Sequence, residues 1–570
     1  MGNTTMTEQH LQQKMRSLWS QLYGDRDVPK LELFFNELDE AHRQAPAAPP
    51  AEWYRDVVVY SLYVDLFSHN FQGLTQRLDY LQQLGATCLW LLPILDSPMR
   101  DAGFDIRDYR RIRADLLGGD DAAAQQSFSH FLREAHGRGI RVIFDVALNH
   151  SSDQHRWFQE ARKGPDNPYR DYYIWSDTER RYADARVIFK GMMPSNWHKL
   201  YDEEHGDVYY FHRFFESQPD LNYRNPDVLL EMCRMLLFWV SQGVDGFRAD
   251  AVPYLWKEEG TICENLPGTH AIVKFFRAVL DAVRPDTILL AEACQPPVEV
   301  VNYFGDGDEC QAAYHFPVMP RIYLALAEET AKPIRDALSV QFTPPIPAAC
   351  QWFSFLRCHD ELTLEMVTPD ERKAIYSAYC HQPAWDFRQG EGIAARLADL
   401  FRFDEASIRL AFSISFTLLG TPVIFYGDEF AKPNDEQYQH EQEALTGYQD
   451  ARYRVRGSVD WNETLKTIQD PAQLGGRIHS AVREMLAIRA KYKAFGRGTL
   501  RFIDVENDHV LAYVREHEGE RVLLLQNLSS GPEHAAVRER SSEWRRIYGA
   551  GAFDDGSVTL PAKGFGWFIG

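Results

Sequence analysis

The chain has 570 residues, 45% of them hydrophobic and 25% charged, the make-up of a globular protein long enough to bury a large core. With 82 acidic against 61 basic side chains it carries a formal charge of −21, which repels phosphate backbones and anionic lipid and excludes nucleic acid and membrane as expected partners. Its eight cysteines are scattered, with no CxxC pair and no metal-ligand spacing, so reduced buried thiols are expected and a disulfide framework is not.

In chain order, the opening MGNTTMTEQHLQQKMRSLW has no apolar core and no cleavage site, so the expectation is a cytoplasmic protein without a signal peptide. Residues 1–52 form a first unit: two stretches with apolar residues at helical spacing, then APAAPPAEW (45–53), which breaks the helix and reads as a linker. From residue 53, short apolar strands alternate with amphipathic helices. VVVYSLYV, CLWLLPI, RVIFDVAL, GFRADAV, ILLAEA, WFSFLRC and TPVIFYGDE are the strands. Nearly continuous apolar strands belong to a parallel sheet covered on both faces, and this much alternation predicts a (β/α)8 TIM barrel or a doubly wound sheet over 53–497. Residues 150–224 are polar, aromatic and without period, so they predict a domain inserted after the third strand. Residues 326–405 mix proline, acidic and helical pieces and are the candidate lid. From 498 to 570 the pattern alternates with turn residues between, which predicts a separate antiparallel β domain of sandwich type.

Polar residues gather at the C-terminal ends of the proposed strands, where a barrel builds its site. Asp145, Asn149 and His150 end the third; Arg248 and Asp250 the fourth; Glu292 the fifth; His359 and Asp360 the seventh. One acid at a strand end is usually a helix cap or a surface ion pair. Four polar strand ends, each following an apolar strand, are not explained that way.

The segments DVALNH, GFRAD, LLAEA and FLRCHD resemble, in order and spacing, the four signature segments of the α-amylase family (glycoside hydrolase family 13), and the likeness runs over essentially residues 53 to 570. It settles the choice of sheet in favour of the barrel. It implies Asp250 as nucleophile, Glu292 as general acid/base and Asp360 as the third carboxylate, with Arg248, His150 and His359 holding the glucosyl unit. RDAGFDIRDY (100–109) resembles the segment whose Asp closes the non-reducing end of the pocket. That residue is Asp101, its expected partner is Arg456 in VRGSVDW, and Phe104 stands where relatives carry a stacking tyrosine. Asn149 and Asp220 match calcium ligands of relatives, but Lys257 falls where an acidic ligand is expected, so no cofactor is required and a structural calcium is disfavoured.

Within the family, the runs 152–189, 210–223 and 358–367 look like the trehalose synthases, which move a glucosyl group between the links of maltose and trehalose. DLFSHNFQGL after the first strand and YLWK (254–257) look more like amylosucrases. The resemblance therefore implies retaining glucosyl transfer on a small disaccharide. Isomerisation of maltose to trehalose comes first, and a sucrose- or maltose-acting glucosidase or transglucosylase is the alternative. A catalytically dead scaffold barrel is disfavoured, because all three carboxylates are present. Oligomeric state leaves no signature in the sequence, and a homo-oligomer stays open.

Overall fold

The structure is a computed structural model that describes every residue except 1, 120–121, 203–205, 539–543 and 555. Eight parallel strands close into a barrel: β1 (Val59–Leu62), β2 (Cys88–Leu91), β3 (Arg141–Ala147), β4 (Gly246–Asp250), β5 (Ile288–Ala291), β6 (Ala312–Tyr314), β7 (Gln351–Phe355) and β8 (Thr421–Phe425). β8 pairs back onto β1 through Val59 and Val423, so no edge is left open. Seven of the strands feed a long helix. The first of these helices, Phe71–Leu84, shows why they form. Phe71, Leu74, Leu78, Leu81 and Leu84 recur every three or four residues and are buried against the barrel. The Asn70 carboxamide accepts from the Gly73 N–H at 2.9 Å to start it, and Gly85, at φ 104°, stops it.

Two helices precede the barrel, α1 (Gly2–Tyr23) and α2 (Val28–Gln44), and lie on its outer helices. Between β3 and the helix Pro226–Ser241 the chain makes its first excursion, with a short helix (Arg156–Ala161) and a three-stranded antiparallel sheet whose centre is Gly206–Phe211. It returns beside its own start, through a bridge between His150 and Asp220. The span 326–405 is not one insertion: it closes the helix Val318–Glu328 and contains β7 itself. The segment that leaves the barrel is the part after β7, a helix (Pro369–Tyr379) and three two-residue strands forming one small sheet. From Thr499 on, a five-stranded and a three-stranded antiparallel sheet enclose their own apolar core, which includes Val514, Leu523, Leu525 and Phe568. All eight cysteines are free, and among the described residues no helix is long and apolar enough to cross a membrane.

Candidate active site

Arg248, buried inside the barrel, organises the C-terminal end of β4. Its Nη1 bonds Asp145 Oδ1 on β3 at 2.8 Å and also Asp250, two residues along its own strand, while Nη2 lies 3.9 Å from Glu292 at the end of β5. The indole of Trp90 on β2 donates to the other oxygen of Asp145 at 2.8 Å, so the bridging acid is fixed from both sides. Immediately after Asp250 the chain turns sharply: Ala251 has φ 55°, a left-handed conformation that costs a non-glycine residue energy. The turn aims the Ala251 N–H at Glu292, whose Oε2 accepts it at 3.0 Å.

The acids Asp250, Glu292 and Asp360 meet in one pocket, together with Asp101, Phe104, His150, Arg248, His359 and Arg456. Their electrostatics differ. Burial pushes Asp250 up to about 6 against the pull of Arg248. Burial pushes Glu292 up to about 7, with Arg248 opposing and the charge of Asp250 adding to the rise. Asp360 is also pushed up by burial but ends well below the usual carboxylate range, because His359, Arg452 and Arg456 surround it. Burial holds His359 down at about 4, so at neutral pH its ring is neutral and contributes a hydrogen bond to Asp360 at 3.0 Å, while the arginines supply the charge. Of these three acids, Glu292 keeps its proton to neutral pH while the other two lose theirs more readily.

Asp101 lines the same pocket. Its loop is pinned by Asp105, which accepts from the N–H groups of Arg100 (3.0 Å) and Asp101 (3.2 Å) and from Ser97 (2.9 Å). The arginine facing Asp101 is Arg452, at 3.8 Å, and not Arg456 as the sequence pattern suggested. The cause is Asp450, which grips Arg452 from two residues away at 2.7 Å and turns its fork between Asp101 and Asp360, 3.1 Å from the latter. Arg456 instead donates to the His359 carbonyl at 3.0 Å and lies 3.4 Å from Asp360. Phe104 stacks on His359 with centroids 5.4 Å apart, and the Nε2 of His150 is buried without a partner.

Asn149 and Asp220 do come together, but around an ammonium: Lys257 Nζ bonds Asn149 Oδ1 at 2.7 Å and Asp220 Oδ2 at 2.7 Å, with both charged side chains almost fully buried. A dication has no place beside that fixed positive charge, so these residues do not fit a calcium ion. Four charged residues that motif reading missed, Arg186, Glu361, Glu365 and Arg388, also line the pocket. Arg186, from the inserted domain, bonds Glu264 at 2.9 Å and Glu365 at 3.1 Å, and Arg388 bonds Glu365 at 2.6 Å, so the excursion after β7 is tied to the domain after β3. Glu361 is pushed up to about 7 by burial and by Asp360. Glu361 and Glu365 lie within five residues of Asp360, a proximity the sequence shows; nothing in it points to Arg186 or Arg388.

Residues 67–467 match the family described as the alpha amylase catalytic domain, and residues 500–567 match the maltogenic amylase C-terminal domain. The trehalose synthase/amylase TreS of Mycolicibacterium smegmatis is 41% identical over 90% of this chain and 92% of its own. The trehalose synthase of a Pimelobacter species is 40% identical over 91% and 96%. Among solved structures, the trehalulose synthase MutB of Pseudomonas mesoacidophila superposes with a TM-score of 0.71 at 25% identity, covering 92% of this chain and all of that one. With a family match over most of the barrel and 40–41% identity along nearly the whole length, the chain belongs to the α-amylase family, glycoside hydrolase family 13, and within it stands beside the trehalose synthases.

Proposed function

We propose that the protein interconverts maltose and trehalose by retaining glucosyl transfer within a closed pocket. The observation that carries the reading is the arrangement of the acids: Asp250 and Glu292 at adjacent strand ends share Arg248, in a pocket that Asp101 and Arg452 also line. In the proposed mechanism Asp250 attacks the anomeric carbon as the bond to the departing glucose breaks, and Glu292 gives that oxygen its proton. Arg248 keeps Asp250 anionic for the attack, while the raised affinity of Glu292 for its proton suits the acid role. The freed glucose turns, Glu292 takes the proton of its anomeric hydroxyl, and that oxygen attacks the glucosyl carbon and releases Asp250. Asp360, held ionised by Arg452 and Arg456, grips ring hydroxyls. An Asp101–Arg452 pair closing the glycone side of the pocket would suit a disaccharide better than a long glucan.

A transferase of this kind must keep water out while glucose turns. The ion pairs from Arg186 and Arg388 to Glu365 support that role for the segment after β7. The test is NMR analysis of the products formed from maltose, trehalose and sucrose in separate incubations. Maltose and trehalose should each yield the other with little free glucose. Glucose as the main product, or turnover of sucrose alone with release of fructose, would replace this reading with a hydrolase or a sucrose-dependent glucosyltransferase.

A further inference from the structure

The barrel register puts one more side chain at the level of the two central acids. Ala249, Ala291 and Ala313 pair laterally across β4, β5 and β6; one position further along stand Asp250, Glu292 and Tyr314. In-register residues of parallel neighbours point to the same side, so this tyrosine shares the face that carries the acids. Tyr314 is 1% exposed and lines the pocket, its ring held edge-on by Phe316 and Phe355 with centroids 5.7 and 5.3 Å away. Its hydroxyl has no hydrogen-bond partner. A buried phenol left unpaired is costly unless a ligand or water completes it. Other unpaired buried atoms on pocket-lining residues are His150 Nε2, His359 Nδ1, Arg248 Nε, Arg456 Nη1 and Arg388 Nε; the first four belong to residues already given to the glucosyl unit or to the acids, and Arg388 is held by Glu365 and Glu391. Tyr314 has no such task.

We infer that the Tyr314 hydroxyl binds the acceptor glucose, the unit that leaves and returns, and so sets the share of transfer over hydrolysis. The strand order gives the direction. Glu292 stands between Asp250 and Tyr314, so the sugar whose oxygen Glu292 protonates lies on the Tyr314 side, away from the nucleophile. The inference rests on the roles proposed above for Asp250 and Glu292. It names a specificity residue that acts on the second sugar rather than on the first.

The test is Tyr314→Phe, which keeps the ring and removes only the hydroxyl, assayed on two donors. With maltose, kcat/KM for trehalose formation should fall about tenfold and the share of free glucose should rise, as expected when one sugar hydroxyl loses its partner. With α-glucosyl fluoride, whose leaving group is no sugar, donor consumption should stay within about twofold of wild type. Equal losses on both donors would place the hydroxyl on the glucosyl unit or the acids, and no loss on either would make it structural; each overturns the inference. If the variant does not accumulate folded, the wild-type enzyme charged with α-glucosyl fluoride is offered monodeoxyglucoses as acceptors. Transfer should drop for one position only, and uniform acceptance would count against a specific contact. If wild type makes no trehalose from maltose, the isomerase reading fails by itself, and the same two-donor comparison on whichever disaccharide is cleaved still decides Tyr314.

Discussion

Arg248 contacts two acids whose tasks require opposite charge states, and the pH profile should report it. Asp250 must be ionised, so activity rises through about 6 as pH increases; Glu292 must carry its proton, so activity falls again through about 7. The expected kcat/KM profile on maltose is a narrow bell between those values, and an alkaline limb that persists in Glu292→Gln would reassign the acid. Asp250→Asn should lower kcat on the order of 10⁴-fold with the fold intact by circular dichroism, and substantial remaining turnover would remove the nucleophile role. These acids were legible in the sequence because each follows an apolar strand whose end must face the pocket. The partner of Asp101 was not. Arg452, Arg454 and Arg456 follow one another at two-residue steps through a turn of irregular geometry, and only the grip of Asp450 selects the first.

Among the elements, the inserted domain and the segment after β7 depend on buried charge. The Lys257 ammonium joins Asn149, next to His150, to Asp220 on the returning chain. Lys257→Ala would leave Asp220 buried and short of its cation, a loss of about 3–5 kcal/mol read as a fall in the urea midpoint. Chelator should leave the wild-type melting temperature unchanged, and a fall on adding EDTA would contradict the ammonium's place there. Arg186→Ala removes the tie between the inserted domain and Glu365, so the fraction of maltose hydrolysed should rise several-fold while the Lys190–Glu391 pair still joins the two segments. An unchanged product ratio would separate closure from those ion pairs. The lysine was legible as a charge where a ligand was expected, but the outline of the lid was not. The strand WFSFLRC could be read, but composition could not show that only the pieces after it leave the barrel, so the span 326–405 merged barrel and excursion.

For the whole molecule, the barrel and the C-terminal sheets are joined by a buried arginine, Arg515, that meets backbone rather than carboxylates, and Arg489 meets backbone in the same way inside the barrel. Arg515 donates to the carbonyls of Thr417 (2.9 Å) and Gly498 (2.9 Å), and Arg489 to that of Gly420 at 3.1 Å. Thr417 ends the helix Glu405–Thr417, whose last carbonyls lack helical partners and carry partial negative charge. Burial lowers both arginines, Arg489 to about 9 and Arg515 to about 10, so both are still charged at neutral pH. Arg515→Met should cost about 2–4 kcal/mol in stability while leaving KM for maltose unchanged, and a stable variant would show that the sheets dock without it. Alternation had marked the β domain from Thr499 on, but the arginine contacts depend on tertiary approach that no local pattern carries.

The central claim is that glucose leaves, turns and returns without escaping the pocket. It is tested most directly by incubating maltose carrying ¹³C in its reducing glucose with excess unlabelled glucose and following the trehalose by NMR. The trehalose should keep the label at nearly the level of the starting maltose. Trehalose diluted to the label content of the free glucose would show that the sugar exchanges with solvent, and would contradict a closed intramolecular transfer.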